Sequence, residues 1–162
     1  IDILIYNAGI WEQNNFEKES IANLKQIITV NLISALTSIH TLLPNLKKAR
    51  HAKIIFIGST SGLDNEGGIA VAYTVSKFGM RGLTHSLREY LRKDGIHVTC
   101  INPGSMATDL TLDEGTEIAI KKYENKRIPV QDVVSLVKTI VHLSPASCVK
   151  EINIPALEDM DV

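Results

Sequence analysis

A chain of 162 residues, 44% of them hydrophobic, has enough apolar material for one core, which predicts a single domain over residues 1–162. Its 17 basic and 18 acidic residues leave a formal net charge of -1 with no block of one sign, so neither nucleic acid nor an anionic membrane surface is expected as a partner. Two cysteines, Cys100 and Cys148, make no disulfide framework and fit free thiols in a reducing cytoplasm.

The first element is an apolar run over residues 2–6 that reads as a strand, with no basic leader or small-residue cleavage site of a signal peptide. It ends at Asn7-Ala8-Gly9, a turn sequence, and packing is expected for the lone Trp11 beyond it. Ile21, Leu24, Ile27, Ile28, Leu32, Ala35, Leu36, Ile39, Leu42, Leu43 and Leu46 then form a helical stripe. Ser34, Thr37, Ser38 and His40 interrupt its second half, which argues against a membrane span. Asn31 sits within the stripe, where a polar side chain is costly unless hydrogen-bonded; a local helix break with the amide bonded to backbone is expected.

Residues 53–58 and 96–101 are short β-branched runs of the kind found in parallel strands covered on both faces. Ser59, Thr60 and Ser61 follow the first of them. Tyr73 and Lys77 come next, four residues apart on a helix predicted from about Tyr73 to Arg92, with Met80, Leu83, Leu87 and Leu91 inward. One turn apart, a phenol and an ammonium share one small volume, and a neighbouring cation favours the phenolate. Such a pair can protonate an alkoxide or deprotonate an alcohol, and a serine hydroxyl can bond the same oxygen. Pro103-Gly104 closes the strand, and residues 108–127 are polar without a readable pattern. Val133, Val134, Val137, Ile140 and Val141 mark a late helix, and residues 149–154 a final strand. The five histidines are scattered, so no metal site is expected. Strands alternating with helices predict an α/β chain with a parallel sheet and right-handed crossovers.

Asn7-Ala8-Gly9, Asn31, Ser59 within Gly58-Ser59-Thr60-Ser61-Gly62, Tyr73 with Lys77, and Asn102-Pro103-Gly104 followed by Thr108-Asp109 together resemble the short-chain dehydrogenase/reductase family, in the family's order over residues 2–109. The resemblance implies a Rossmann-like, doubly wound parallel sheet. It implies hydride transfer between NAD or NADP and a small-molecule carbonyl or alcohol substrate, with 3-oxoacyl-[acyl-carrier-protein] reductase-like activity as one instance. It assigns catalysis to Asn31, Ser59, Tyr73 and Lys77, and cofactor contact to Asn7, Ala8, Gly9, Tyr73, Lys77, Pro103, Gly104 and Thr108. Ser59 would polarise the carbonyl, with Thr60 as the fallback. Tyr73 would supply the proton, Lys77 would hold the nicotinamide ribose and depress the phenol pKa, and Asn31 would anchor a water that refills the proton. A homodimer or homotetramer would pair the helices at 31–48 and 73–92, with Gly79 and Gly82 allowing close approach.

Two departures bear on this reading. Tyr6 stands where the family has the first residue of N-N-A-G, and no Gly-rich phosphate turn occurs in the sequence. Since the chain opens on the strand that the family places fourth, it is expected to be the C-terminal part of such a fold with the N-terminal βα units missing, and the NAD or NADP choice is not readable. The end lacks the family's common Gly-rich pattern and closes on acidic residues 158–162. The alternative is a non-catalytic binding or scaffold fragment of the same fold.

Overall fold

The β-branched runs form one parallel sheet in the computed structural model, which describes residues 1–63 and 70–159. Its strands β1 (Ile3–Tyr6), β2 (Lys53–Ile57), β3 (His97–Pro103) and β4 (Glu151–Ile154) lie side by side in chain order. Tyr6 pairs with Phe56, Phe56 with Cys100 and Cys100 with Glu151. The expected acidic end falls partly on residues 160–162, outside the described residues.

Helices α1 (Ile21–Ile28) and α2 (Ser34–Leu46) connect β1 to β2, and α3 (Val71–Leu91) connects β2 to β3. α1 starts at Ser20, whose side chain accepts the amide of Asn23 at 3.1 Å. α3 gives way to a short turn, Arg92–Asp94, which ends at Gly95 in the left-handed region (φ 68°), sharp enough to feed β3. Leu4, Tyr6, Ile54, Phe56, Val98 and Cys100 share one sheet face and pack against Ala35, Ile39 and Leu46 of α2 and Met80 and Leu91 of α3. The run Ile21–Leu46 is long and apolar enough to cross a membrane, but this packing gives its inner side the role of a core helix.

The opposite face holds Ile55, Ile57, Ile101 and Ile152 against α5 (Val130–His142), through Leu136, Val137, Ile140 and Val141. Because the strands advance across the sheet in one direction, helices on opposite faces mean crossovers of opposite hand. Uniform right-handed winding was the expectation; instead the β3–β4 connection winds opposite to the first two. The stretch 104–150 is long enough to change faces, and it includes α4 (Thr116–Tyr123), a helix that the polar sequence did not reveal.

Buried polar side chains tie the layers together. Lys53, at the start of β2, donates to the carbonyls of Ile140, Val141 and Leu143 at 2.6–2.9 Å, satisfying the C-terminal end of α5. Arg81 of α3 pairs with Glu151 at 2.7 Å, and Asn102 donates to Glu151 and Asn153. Gly79, expected at a subunit contact, is used within the chain, because an added Cβ would meet the Leu32 side chain; Gly82 faces open space.

Candidate active site

Parallel strands end on one edge, and there the loops after β1, β2 and β3 bring together Asn7-Ala8-Gly9, Ser59 and Pro103-Gly104. α3 starts at the same edge, so Tyr73 falls in its first turn and Lys77 one turn later. Gly62 explains how close the helix comes: a Cβ there would lie 2.8 Å from the Lys77 carbonyl oxygen. That glycine lets the loop after β2 seat directly on the turn of α3 that carries Tyr73 and Lys77.

The Ser59 side chain lies near enough to the Tyr73 phenol to draw its pKa down. Ser59 is also fixed from behind, accepting the amide of Ser61 at 3.1 Å. Of the three candidate hydroxyls, Ser59 is therefore the one at the phenol, and Thr60 is buried in the turn that follows.

Lys77 is buried, with its ammonium donating to the Ile57 carbonyl at 3.1 Å and lying 5.3 Å from the Tyr73 ring centroid. Burial pushes its pKa down to about 8. Burial also raises the Tyr73 phenol above its ordinary value, and the neighbouring Ser59 side chain only partly opposes this. The expectation that Lys77 depresses the phenol is thus corrected. The ammonium faces the ring, and both groups lose the solvent that would stabilise their charges.

Asn31 occupies the helix break, which takes the form of a π-turn, Thr29–Ile33, between α1 and α2. Its Oδ1 accepts the Ile10 amide at 2.8 Å, while its Nδ2 donates to the Ile10 carbonyl at 2.8 Å and to Ser76 Oγ at 2.9 Å. Tyr6, the departure from the family pattern, supports the same break. Its hydroxyl donates to the Val30 carbonyl at 2.7 Å and lies 2.6 Å from Ser34 Oγ. An aromatic thus takes a polar position of the pattern and keeps a hydrogen bond there.

Gly9 is exposed, and a Cβ on it would lie 3.7 Å from Asn31 Oδ1 and 3.8 Å from Lys77 Nζ, so these two polar atoms face one gap. Asn7 and Ala8 are exposed beside it. Pro103 is buried at the end of β3, and the Gly104 amide donates to the Ile154 carbonyl at 3.0 Å. Thr108 is exposed in the next turn, and no described contact joins it to Tyr73 or Lys77. Trp11 is 61% exposed, contrary to the packing expected of it. The cleft of about 400 Å³ between α4 and the segment after β4, lined by Ser105, Tyr123 and Arg127 among others, includes neither Tyr73 nor Lys77. Among the described residues no group of His, Cys, Asp or Glu could hold a metal ion.

One residue of this region gave no signal in the sequence. Glu12 is buried, and its carboxylate accepts the amides of Ala72 and Tyr73 at the start of α3. Sixty residues separate it from Ala72, so no local capping pattern marks it.

The short chain dehydrogenase family model matches residues 1–118. The chain is 35% identical over 111 residues to the 3-oxoacyl-[acyl-carrier-protein] reductase of Escherichia coli (strain K12), covering 68% of this chain and 45% of that protein. It is 36% identical over 106 residues to a 3-dehydrosphinganine reductase of Arabidopsis thaliana, covering 64% of this chain and 32% of that one. A solved structure of 4-hydroxyisoleucine dehydrogenase complexed with NADH and succinate superposes with a TM-score of 0.79 at 26% identity, covering 96% of this chain and 66% of that chain. The chain thus spans less than half the length of these two reductases.

Proposed function

The chain belongs to the short-chain dehydrogenase family, and on that premise we propose that its Ser59, Tyr73 and Lys77 serve hydride transfer between a nicotinamide dinucleotide and a carbonyl or alcohol. The observation behind this is the Tyr73 phenol beside the Ser59 side chain, with the buried Lys77 ammonium 5.3 Å from the Tyr73 ring centroid. Ser59 and Tyr73 place two hydroxyls where one substrate oxygen can accept from both. Tyr73, held protonated by burial, gives its proton to the alkoxide as carbonyl reduction proceeds.

The residues fit the nicotinamide-ribose end of the cofactor. An ammonium has three N–H donors, and among the described residues Lys77 uses one on the Ile57 carbonyl, leaving two for ribose hydroxyls. Gly9, Gly104 and Thr108 belong to the loops at the same edge and Pro103 to the end of β3 there, with Asn7 and Ala8 beside Gly9. The bound dinucleotide supplies the hydride. Asn31 holds the π-turn and shares a gap with Lys77, which supports a role in anchoring the water that restores the Tyr73 proton. NAD and NADP are both open. Substrates like those named for the relatives, 3-oxoacyl thioesters among them, are the first to try.

The test is deuteride transfer. The protein expressed from its natural reading frame, given 4-deuterated NADH or NADPH and 3-oxoacyl thioesters, should yield product alcohol one mass unit heavier. A panel of such thioesters and simple ketones returning no labelled alcohol with either cofactor would leave the non-catalytic reading of the fold.

The outer sides of α2 and α3 support a homodimer or homotetramer, since Leu36, Val75 and Phe78 are exposed there, with Ile33 of the π-turn beside them. Gly82 is open to such a contact, whereas Gly79 is already engaged with Leu32. Sedimentation at micromolar concentration should show at least a dimer, and monomer alone would refute this. The free thiols Cys100 and Cys148 support a cytoplasmic setting, which cell fractionation would check.

A further inference from the structure

We propose that Glu12 is a positioning residue for the Tyr73–Lys77 pair, its carboxylate setting the height of α3 relative to the loop that follows β1. This rests on the hydride-transfer reading for its consequence to rate, though not for its geometry.

α3 has no cap of its own. Its N-cap residue is Ala70, and no side chain of that residue can satisfy the first amides of the helix. Glu12 performs this from a distant part of the chain. Its Oε1 accepts the Ala72 amide at 2.5 Å, and Oε1 and Oε2 lie 3.3 and 3.2 Å from the Tyr73 amide. These are the second and third residues of the helix, the donors that a local capping side chain would normally take. A carboxylate there also opposes the positive end of the helix, 21 residues long, whose field would otherwise favour the Tyr73 phenolate. Glu12 therefore helps to keep the phenol protonated as well as in place.

The contact closes a ring. Ile10, two residues before Glu12, is held by Asn31 through both its amide and its carbonyl. Asn31 donates to Ser76, and Ser76 donates to the Tyr73 carbonyl at 2.6 Å. The loop after Gly9 is thereby fixed at Ile10 to the π-turn and at Glu12 to the helix. No other described side chain bonds to the Ala72 or Tyr73 amide, so removing the carboxylate opens the ring at the residue that donates the proton.

The experiment compares Glu12→Ala and Glu12→Gln with Glu17→Ala, an exposed carboxylate nearby as control. Amide exchange at Ala72 and Tyr73 should speed up by about tenfold in Glu12→Ala relative to Met80–Leu91. Tyr73, followed by NMR of a ring-labelled sample, should titrate at lower pH than in the parent. Glu12→Gln retains one acceptor oxygen without the charge, so it should recover part of the exchange protection while the phenol still titrates low. Where hydride transfer is measured, kcat should fall with little change in KM for either reactant. Unchanged exchange and an unchanged phenol midpoint in folded Glu12→Ala would overturn the proposal. Should that variant fail to fold, the phenol midpoint in Glu12→Gln decides in the same way. A parent protein without any hydride transfer would sink the functional reading while the exchange and titration results still judge Glu12.

Discussion

Replacing Tyr73 by Phe is expected to slow carbonyl reduction by about 10²- to 10⁴-fold, the usual contribution of a positioned general acid, with little loss of stability. Among the described residues Ser59 is the one side chain that acts on the hydroxyl, so its removal costs the fold at most about 1 kcal/mol. The ring remains, with the Lys77 ammonium 5.3 Å from its centroid. Direction matters to the pH profile. Burial raises the phenol, so at neutral pH it holds the proton that reduction needs, while alcohol oxidation, which needs the phenolate, should rise toward alkaline pH. Steady-state rates in both directions from pH 6 to 10, for the parent and Tyr73→Phe, would show this. A variant keeping more than a tenth of the parent rate would remove Tyr73 from the chemistry.

Lys77 should make the fold more stable as pH rises from about 8 to 9, an unusual sign. Its pKa is about 8 in the folded chain and near 10.5 when unfolded, so between those values the unfolded state binds the additional proton and rising pH favours folding. From pH 7.5 to 9 the gain is about 1 kcal/mol. Above pH 9 it meets an opposing effect. Burial pushes the Cys100 thiol up to about 11 from 9.0, so the unfolded thiol ionises first and stability is lost as pH climbs through that range. The raised Tyr73 phenol adds to the loss above pH 10. Urea unfolding should therefore show a maximum between about pH 9 and 10. Lys77→Met should abolish the rise and leave the decline, and Cys100→Ala should move the maximum to higher pH. The same rise in Lys77→Met would rule the lysine out as its source.

Much of this site could be read from the chain because its chemistry is local in sequence. Tyr73 and Lys77 are one helical turn apart, Ser59 closes a β-branched strand, and Asn31 is conspicuous as the polar residue in an apolar stripe. The strands were legible for the same reason, since short buried runs have little else they can be. What stayed hidden is long-range. Glu12 looks like any loop carboxylate until the fold brings it to Ala72, and Lys53 looks like a surface lysine until α5 ends above it. α4 lies in a polar stretch where periodicity is weak. The direction of the Tyr73 shift was misjudged because spacing reports a neighbour's charge and says nothing of how much water both groups lose.

The β3–β4 connection leaves the sheet at Gly104 and returns to the adjacent strand at Glu151, so its two ends are anchored close together whatever lies between. Closing a longer excursion between fixed ends is inexpensive, about 0.6 kcal/mol for each doubling of length. Insertions, deletions and sequence drift can therefore accumulate between β3 and β4 with little effect on the register of the sheet, while Ser59, Tyr73 and Lys77 sit upstream, before β3. Evolution can remodel this stretch without disturbing the strands and the helix that carry Ser59, Tyr73 and Lys77.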